Sequence, residues 1–547
     1  MSAVKSPGKT PSEGTARRWV GRSPAPAPPA VYHRRRALAL AVIGVVLALA
    51  SAAFLVLDSS GPEPPATGAA QLVPSDALAY VHLSTDPSRS GVQDARRLAS
   101  RFPDYPLLYA AVMSRVNGIL GSGNVRPWLG KEAAVAVLAG AGSATATVLV
   151  LDVSNRARAQ AFLSAAGAAP AGAYDGIRLR AYPSGSDAAL VGHYLVAGPA
   201  AGVRAAIDAW RGRSQSLARN PAYKRAAASE PAGRVLDAYL PANGVQRLLV
   251  GRTGLTGAIG LLLDRPAVAG TAISLSAISG GAQVLIDSAL SGGSRAASFT
   301  PTLQSVLPSG STLMLDVHGL RGAAPELLSA GATAGIGANI APFLGRLGTA
   351  LASQGVNVGK VLSIFDGETA VALSPGPSPA LLIVSRLSNV AAAQSELASL
   401  EAPLTALFSP SADSLGGQEP EIADTQVGGA TVHEFQLGAG LQVDDAVFDG
   451  LAVVSTSIRA IEQVAQRSHA LAGDASYRAV LPSGSGQVSS LVFGNVTRLL
   501  GLAEQTGLTA GARTRELLPD LARIRSIGLT STSAKNDTTT KLTFEIP

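Results

Sequence analysis

The stretch "LVPSDALAYVHLS" (72–84) returns as "VLPSGSTLMLDVH" (306–318), and that return constrains the fold more than any other feature of the chain. Pro74 precedes Pro308 by 234 residues, and Ser154-Asn155 and Gln160 meet Ser388-Asn389 and Gln394 at the same spacing. "KEAAVAV" (131–137) resembles "GETAVAL" (367–373) at a spacing of 236. Farther on, Gly176 and Gly429, Tyr223 and Tyr477, and the two "TGLT" stretches at 253 and 506 lie 253 or 254 apart. Collinear matches at nearly constant spacing predict two tandem copies of one unit, 71–298 and 303–547. The step in spacing places an insertion in the second copy at about 409–426, polar and acidic enough to read as a surface loop. At 547 residues the chain exceeds one ordinary core, and each copy has the size of a domain.

Within a copy, short β-branched runs such as "EAAVAVLA" and "ATVLVLDV" read as strands. Asn155 is placed to start a helix over "RARAQAFLSAAGA", and further helices are expected at 199–211 and 242–264. Asp175-Gly176 and Asp449-Gly450 are hairpin turn signals. Strand pairs separated by helices predict the α+β class: in each copy a mainly antiparallel sheet with helices on one face, after one N-terminal transmembrane helix.

That transmembrane helix is expected at 37–57, "ALALAVIGVVLALASAAFLVL", 21 residues without charge or proline. As a helix it spans about 31 Å, one hydrocarbon thickness. Arg34, Arg35 and Arg36 abut its start, which puts the N-terminus in the cytoplasm and the body outside. A cleaved signal peptide with A-x-A sites at Ala48, Ala50 and Ala52 is the competing reading. The long leader and the continuation to Leu57 favour the uncleaved anchor. Residues 1–36 read as a disordered basic cytoplasmic tail, and 58–70, "DSSGPEPPATGAA", as a linker holding the body off the membrane.

"LVPSDALAYVHLS" following a single anchor, with "WLGKEAAVAVL" (128–138) before a strand pair, resembles a bacterial, chiefly actinobacterial, family of membrane-anchored proteins, domain of unknown function 3352. The resemblance implies an anchored extracytoplasmic protein. It implies no activity and no site residues.

The formal charge is +7, and the tail carries all of it. The rest of the chain balances to zero and is poor in aromatics, which argues against nucleic acid as a partner. Residues 58–300 net +7 and 301–547 net −7. Docking of the two copies on each other would use that difference, although drift plus the acidic loop explains it as well. There is no Cys, so disulfides, Cys-ligated zinc and thiol nucleophiles are excluded.

Chemistry-bearing motifs are absent. No G-x-S-x-G elbow or phosphate-binding G-x-x-x-x-G-K-[ST] occurs, and Gly130-Lys131 is followed by Glu132. The six histidines are never spaced as metal ligands, and His82 and His318 read as surface residues of each copy's first strand. Asp444 and Asp445, near Asp449, read as a solvated hairpin. No catalytic, cofactor-binding or metal-binding residue is assigned, and no cofactor. Apolar helices at 245–263 and 325–351 leave room for a lipid chain.

The sequence therefore predicts a single-pass envelope protein, not an enzyme, with a binding or structural role and a protein partner. The alternative is a carrier or sensor of an apolar, lipid-like envelope ligand, and an unrecognised enzyme comes last.

Overall fold

A computed structural model describes residues 63–547, apart from 122, 141–143, 251–266, 292–296, 321–347, 377–378, 410–418, 439, 482–485, 508 and 510. The tail, the 37–57 stretch and most of both apolar helices expected at 245–263 and 325–351 lie outside the described residues. Among the described residues, no helix is long and apolar enough to cross a membrane.

The chain forms an α+β structure around one large antiparallel sheet. Its first half contributes β1 (Ala79–Ser84), β2 (Leu129–Ala139), β3 (Thr145–Val153), β4 (Ala169–Tyr174), β5 (Ile177–Ala181), β6 (Asp187–Val191), β7 (Tyr194–Gly198), β8 (Leu236–Pro241), β9 (Val268–Ile278) and β10 (Gly281–Leu290). The second contributes β11 (Leu313–His318), β12 (Glu368–Leu373), β13 (Leu381–Arg386), β14 (Glu421–Val427), β15 (Ala430–Gly438), β16 (Leu441–Phe448), β17 (Leu451–Ser455), β18 (Ser490–Asn495), β19 (Ser526–Ser533) and β20 (Asp537–Glu545).

Across the sheet, the strands of the first half lie in the order β4-β5-β6-β7-β3-β2-β1-β8-β9-β10. β10 then pairs with β20. From the opposite edge the second half runs β14-β15-β16-β17-β13-β12-β11-β18-β19-β20, the same path in equivalent elements. The β10–β20 pairing runs from Gly281 opposite Glu545 to Ala289 opposite Asp537. Each half thereby covers the other's last strand, which alone would be an open edge.

The helices are α1 (Ser90–Ala99), α2 (Tyr105–Leu120), α3 (Arg156–Ala165), α4 (Ala200–Arg211), α5 (Pro221–Ala226) and α6 (Ala242–Leu248) in the first half. The second half holds α7 (Val358–Ser363), α8 (Val390–Ala398), α9 (Glu401–Phe408), α10 (Ile458–Gln466), α11 (Ala475–Val480), α12 (Val496–Gln505) and α13 (Ala512–Leu521). Asn155 and Asn389 cap α3 and α8, each side chain accepting from a backbone N–H three residues on at 3.0 Å. Asp175-Gly176 and Asp449-Gly450 turn their hairpins with φ near +49° and +75°, the left-handed pair of a type I′ turn.

The helices cover both faces of the sheet, not one. β1 explains why: all six of its residues are buried. Tyr80 packs with the core under α4 and α5, whereas Val81 and Leu83 pack with Val92 of α1 and Val112 of α2. An antiparallel strand with a solvated face alternates apolar and polar residues, and "AYVHLS" does not.

Two other boundaries shift. The linker expected at 58–70 is tied to the body from Glu63 onward. The Glu63 carbonyl accepts from Arg89 Nε at 2.8 Å, and Gly68–Gln71 is a 3-10 turn with Ala69 fully buried. The loop expected at 409–426 ends in an outer strand, because Glu421–Val427 pairs with β15 as β14.

Candidate functional site

The densest set of chemistry-bearing side chains lies where β2, β1 and β8 run side by side. His82 on β1 is opposite Asp237 on β8, and its Nδ1 is 2.9 Å from Asp237 Oδ1. Its Nε2 faces Glu132 Oε2 of β2 at 3.3 Å, an ion-pair contact without hydrogen-bond geometry. Arg234 Nε donates to Asp237 Oδ1 at 3.1 Å and lies 3.0 Å from Glu230 Oε2.

Glu132 also closes the 3-10 turn. Its carboxylate accepts from the backbone N–H groups of Gly68 (3.0 Å) and Ala69 (3.1 Å) and from Tyr194 Oη of β7 at 2.5 Å. Only glycine fits at position 68, because a Cβ there would stand 2.1 Å from Tyr194 Oη.

Burial is nearly complete: His82 is 0% exposed, Asp237 1% and Glu132 2%. Burial alone would lower the His82 pKa, but Asp237 and then Glu132 outweigh it and hold the imidazolium up to about 9. Burial would likewise raise both carboxyls. The charge and hydrogen bond of His82 instead hold Asp237 below its ordinary value, with help from Arg234. The close approach of His82 and the hydrogen bond from Tyr194 do the same for Glu132. Glu230 goes the other way: burial and the Asp237 charge push it up to about 8. With Glu230 neutral, two cations (His82 and Arg234) balance two anions (Glu132 and Asp237).

Chemically this is a closed clamp. It joins four sheet strands and the entry turn, and among the described residues the ring nitrogens of His82 face carboxylates, not a hydroxyl.

The second half has the same frame with different chemistry. Glu368 on β12 accepts from the backbone N–H of Thr302 and that of Leu303 (2.9 Å) at the 3-10 turn Leu303–Ser305, and from Arg386 Nε at 3.2 Å. Asp316 on β11 occupies the place of His82, opposite Leu491 where His82 has Asp237. Asp316 is fully buried and both its carboxyl oxygens lack a hydrogen-bond partner. Burial and the neighbouring Glu368 push it up to about 8.

His82 is therefore not the surface histidine expected from its strand, although His318 is exposed. The solvated acidic hairpin is also corrected. Asp444 (0% exposed) and Asp445 (7%) sit in β16, between β15 and β17, and burial pushes each up to about 6. Asp449 alone is at the turn, 2.9 Å from Arg467. Sequence reasoning assigned no site residue and missed this clamp. A partial signal was available: His82 and Asp237 are each a lone ionisable residue inside an apolar run, and such a residue needs a buried partner.

No group of three or more His, Asp or Glu side chains among the described residues is arranged to hold a metal ion. A surface groove of about 380 Å³ lies beside Arg498, lined by Thr312, Pro375 and Leu502.

Fold and clamp together define an α+β protein with a dense polar constellation sealed inside its sheet. Residues 111–546 match the family described as "Protein of unknown function (DUF3352)", and the chain belongs to that family. No curated protein matches it. Solved structures entitled crystal forms III and I of TP0453 are similar at 14% and 13% identity, with TM-scores of 0.26 and 0.25. Each covers 42% of this chain, and 88% and 81% of its own. Scores so low carry no argument about fold or function.

Proposed function

We propose that the chain is a membrane-anchored extracytoplasmic protein of the bacterial cell envelope with a non-enzymatic binding or structural role. Its body is two copies of one unit joined through β10 and β20. The repeated strand order and the paired Glu132 and Glu368 turn locks support the duplication. The uncharged 37–57 stretch behind three arginines supports the anchor.

One observation carries the non-enzymatic reading. The constellation with the most acid–base groups among the described residues pairs its charges internally and is closed to solvent, so no substrate reaches it.

Diethyl pyrocarbonate tests this, because it acylates accessible neutral imidazoles. His193, His318 and His433 should react in the native protein, and His82 only after unfolding. Native reaction of His82 at the rate of the exposed histidines would open the clamp to substrates and return the protein to the enzymes.

A further inference from the structure

We propose that the outward face of α2 rests on an anionic bilayer surface. The inference builds on the anchored reading above and assigns the side of the body that faces the membrane.

Tether length comes first. The apolar stretch ends at Leu57, and Glu63, six residues later, is already fixed to the body by Arg89. Six residues reach about 22 Å at most. Arg89 is itself immobilised, 4% exposed, with its guanidinium also bound to the Ala232 (2.7 Å) and Arg234 (3.0 Å) carbonyls. A continuous sheet of twenty strands extends roughly 90 Å across its strands. The side that carries Arg89 and the start of α1 is therefore turned to the bilayer, and α2 follows α1 after a five-residue turn.

The surface found there suits a lipid interface. α2 is held inward by Val112 (4% exposed) and Leu120 (0%), yet from Tyr105 to Ser114 it carries no charged residue. Leu107 (68% exposed) and Leu108 (38%) point outward, and Leu107 is the most exposed large apolar side chain described. α1 alongside presents Asp94, Arg96 and Arg97, an ordinary solvated face.

Three arginines outnumber the half-buried Asp104 and Asp520 around α2. Arg101, Arg115 and Arg126 are exposed, and Arg126 stacks on Tyr109 at 5.5 Å from the ring centre. Arginines and tyrosines bordering an apolar strip are the composition of an interfacial helix, with the arginines complementary to lipid phosphates. The second half borders the same place. Asp520 of α13 accepts from the Asp104 N–H at 3.2 Å, and Leu517, one turn away, is 55% exposed.

The test uses the full chain, which has no cysteine. Leu107→Cys, and Ser214→Cys on the opposite sheet face, are labelled with an environment-sensitive fluorophore. Each is reconstituted into phosphatidylcholine vesicles containing about one quarter phosphatidylglycerol, and flotation confirms insertion. A spin-labelled lipid should quench the probe at 107 roughly three-fold more than at 214, and less when phosphatidylglycerol is omitted. Equal weak quenching at both positions in floated chain overturns the docking and leaves the anchor standing. A blue shift at 107 that lipid quenchers do not touch, and that grows with protein density, makes a second copy the occupant and overturns it too. Failure to float refutes the anchored reading and the docking with it.

Discussion

His82→Gln isolates the charge of the clamp, since glutamine keeps a side chain of hydrogen-bonding capacity while deleting the cation. Asp237, Glu132, Glu230 and Arg234 face the same position in both proteins. Moving a histidine from an ordinary 6.5 to about 9 corresponds to about 3 kcal/mol of folding stability. Loss of one partner from a buried ion pair costs a similar amount. The folded protein binds this proton more tightly than the unfolded chain. The contribution is thus complete below pH 6.5 and disappears as pH rises through about 9. Trp128 and Trp210 lie in the first half, the second half has no tryptophan, and Trp19 is in the tail, so tryptophan emission follows the half that holds the clamp. Urea unfolding should separate wild type from His82→Gln by about 3 kcal/mol at pH 6 and by little at pH 10. An equal gap at both values would show that His82 is not held as a cation, and would refute the reasoning.

Three further outcomes are expected. Asp316→Asn removes a buried acid without hydrogen-bond partners and should stabilise the second half at pH 8 by on the order of 5 kcal/mol, with little effect at pH 4, in urea unfolding followed by far-UV circular dichroism. The sign follows from a folded-state proton retained up to about pH 8, which makes the wild type lose stability as pH rises from about 4. Gly281→Ala would place a Cβ 1.8 Å from the Phe544 carbonyl, so hydrogen exchange should accelerate along β10 and β20 and not along β1 and β2. Tyr194→Phe removes one donor from Glu132 and should cost about 1–3 kcal/mol in the tryptophan assay at pH 6.

Local chemistry was the legible part of the fold. Asn155 and Asn389 marked helix starts, and Asp175-Gly176 and Asp449-Gly450 marked type I′ hairpins, because each depends only on neighbouring backbone. The layering was less legible. "AYVHLS" lacks the alternation of a half-solvated strand, but a short apolar run does not say what covers its second face. β14 was hidden because its pairing with β15 is read from register, and its residues are polar and exposed. Which residues pair in the clamp was hidden for a related reason. His82, Glu132 and Asp237 are separated by 50 and 105 residues, and only the sheet order β2-β1-β8 makes them neighbours. Asp316 shows the limit of transfer between halves: it stands in the histidine's place without the histidine's partner.

The account rests on a body held outside the membrane by one apolar span, and protease added to intact spheroplasts tests that most directly. With epitopes at both ends, the C-terminal one should be lost at once while the N-terminal tail survives until lysis. Survival of the C-terminal epitope in intact spheroplasts whose tail is digested, or survival of both until lysis, would contradict the account.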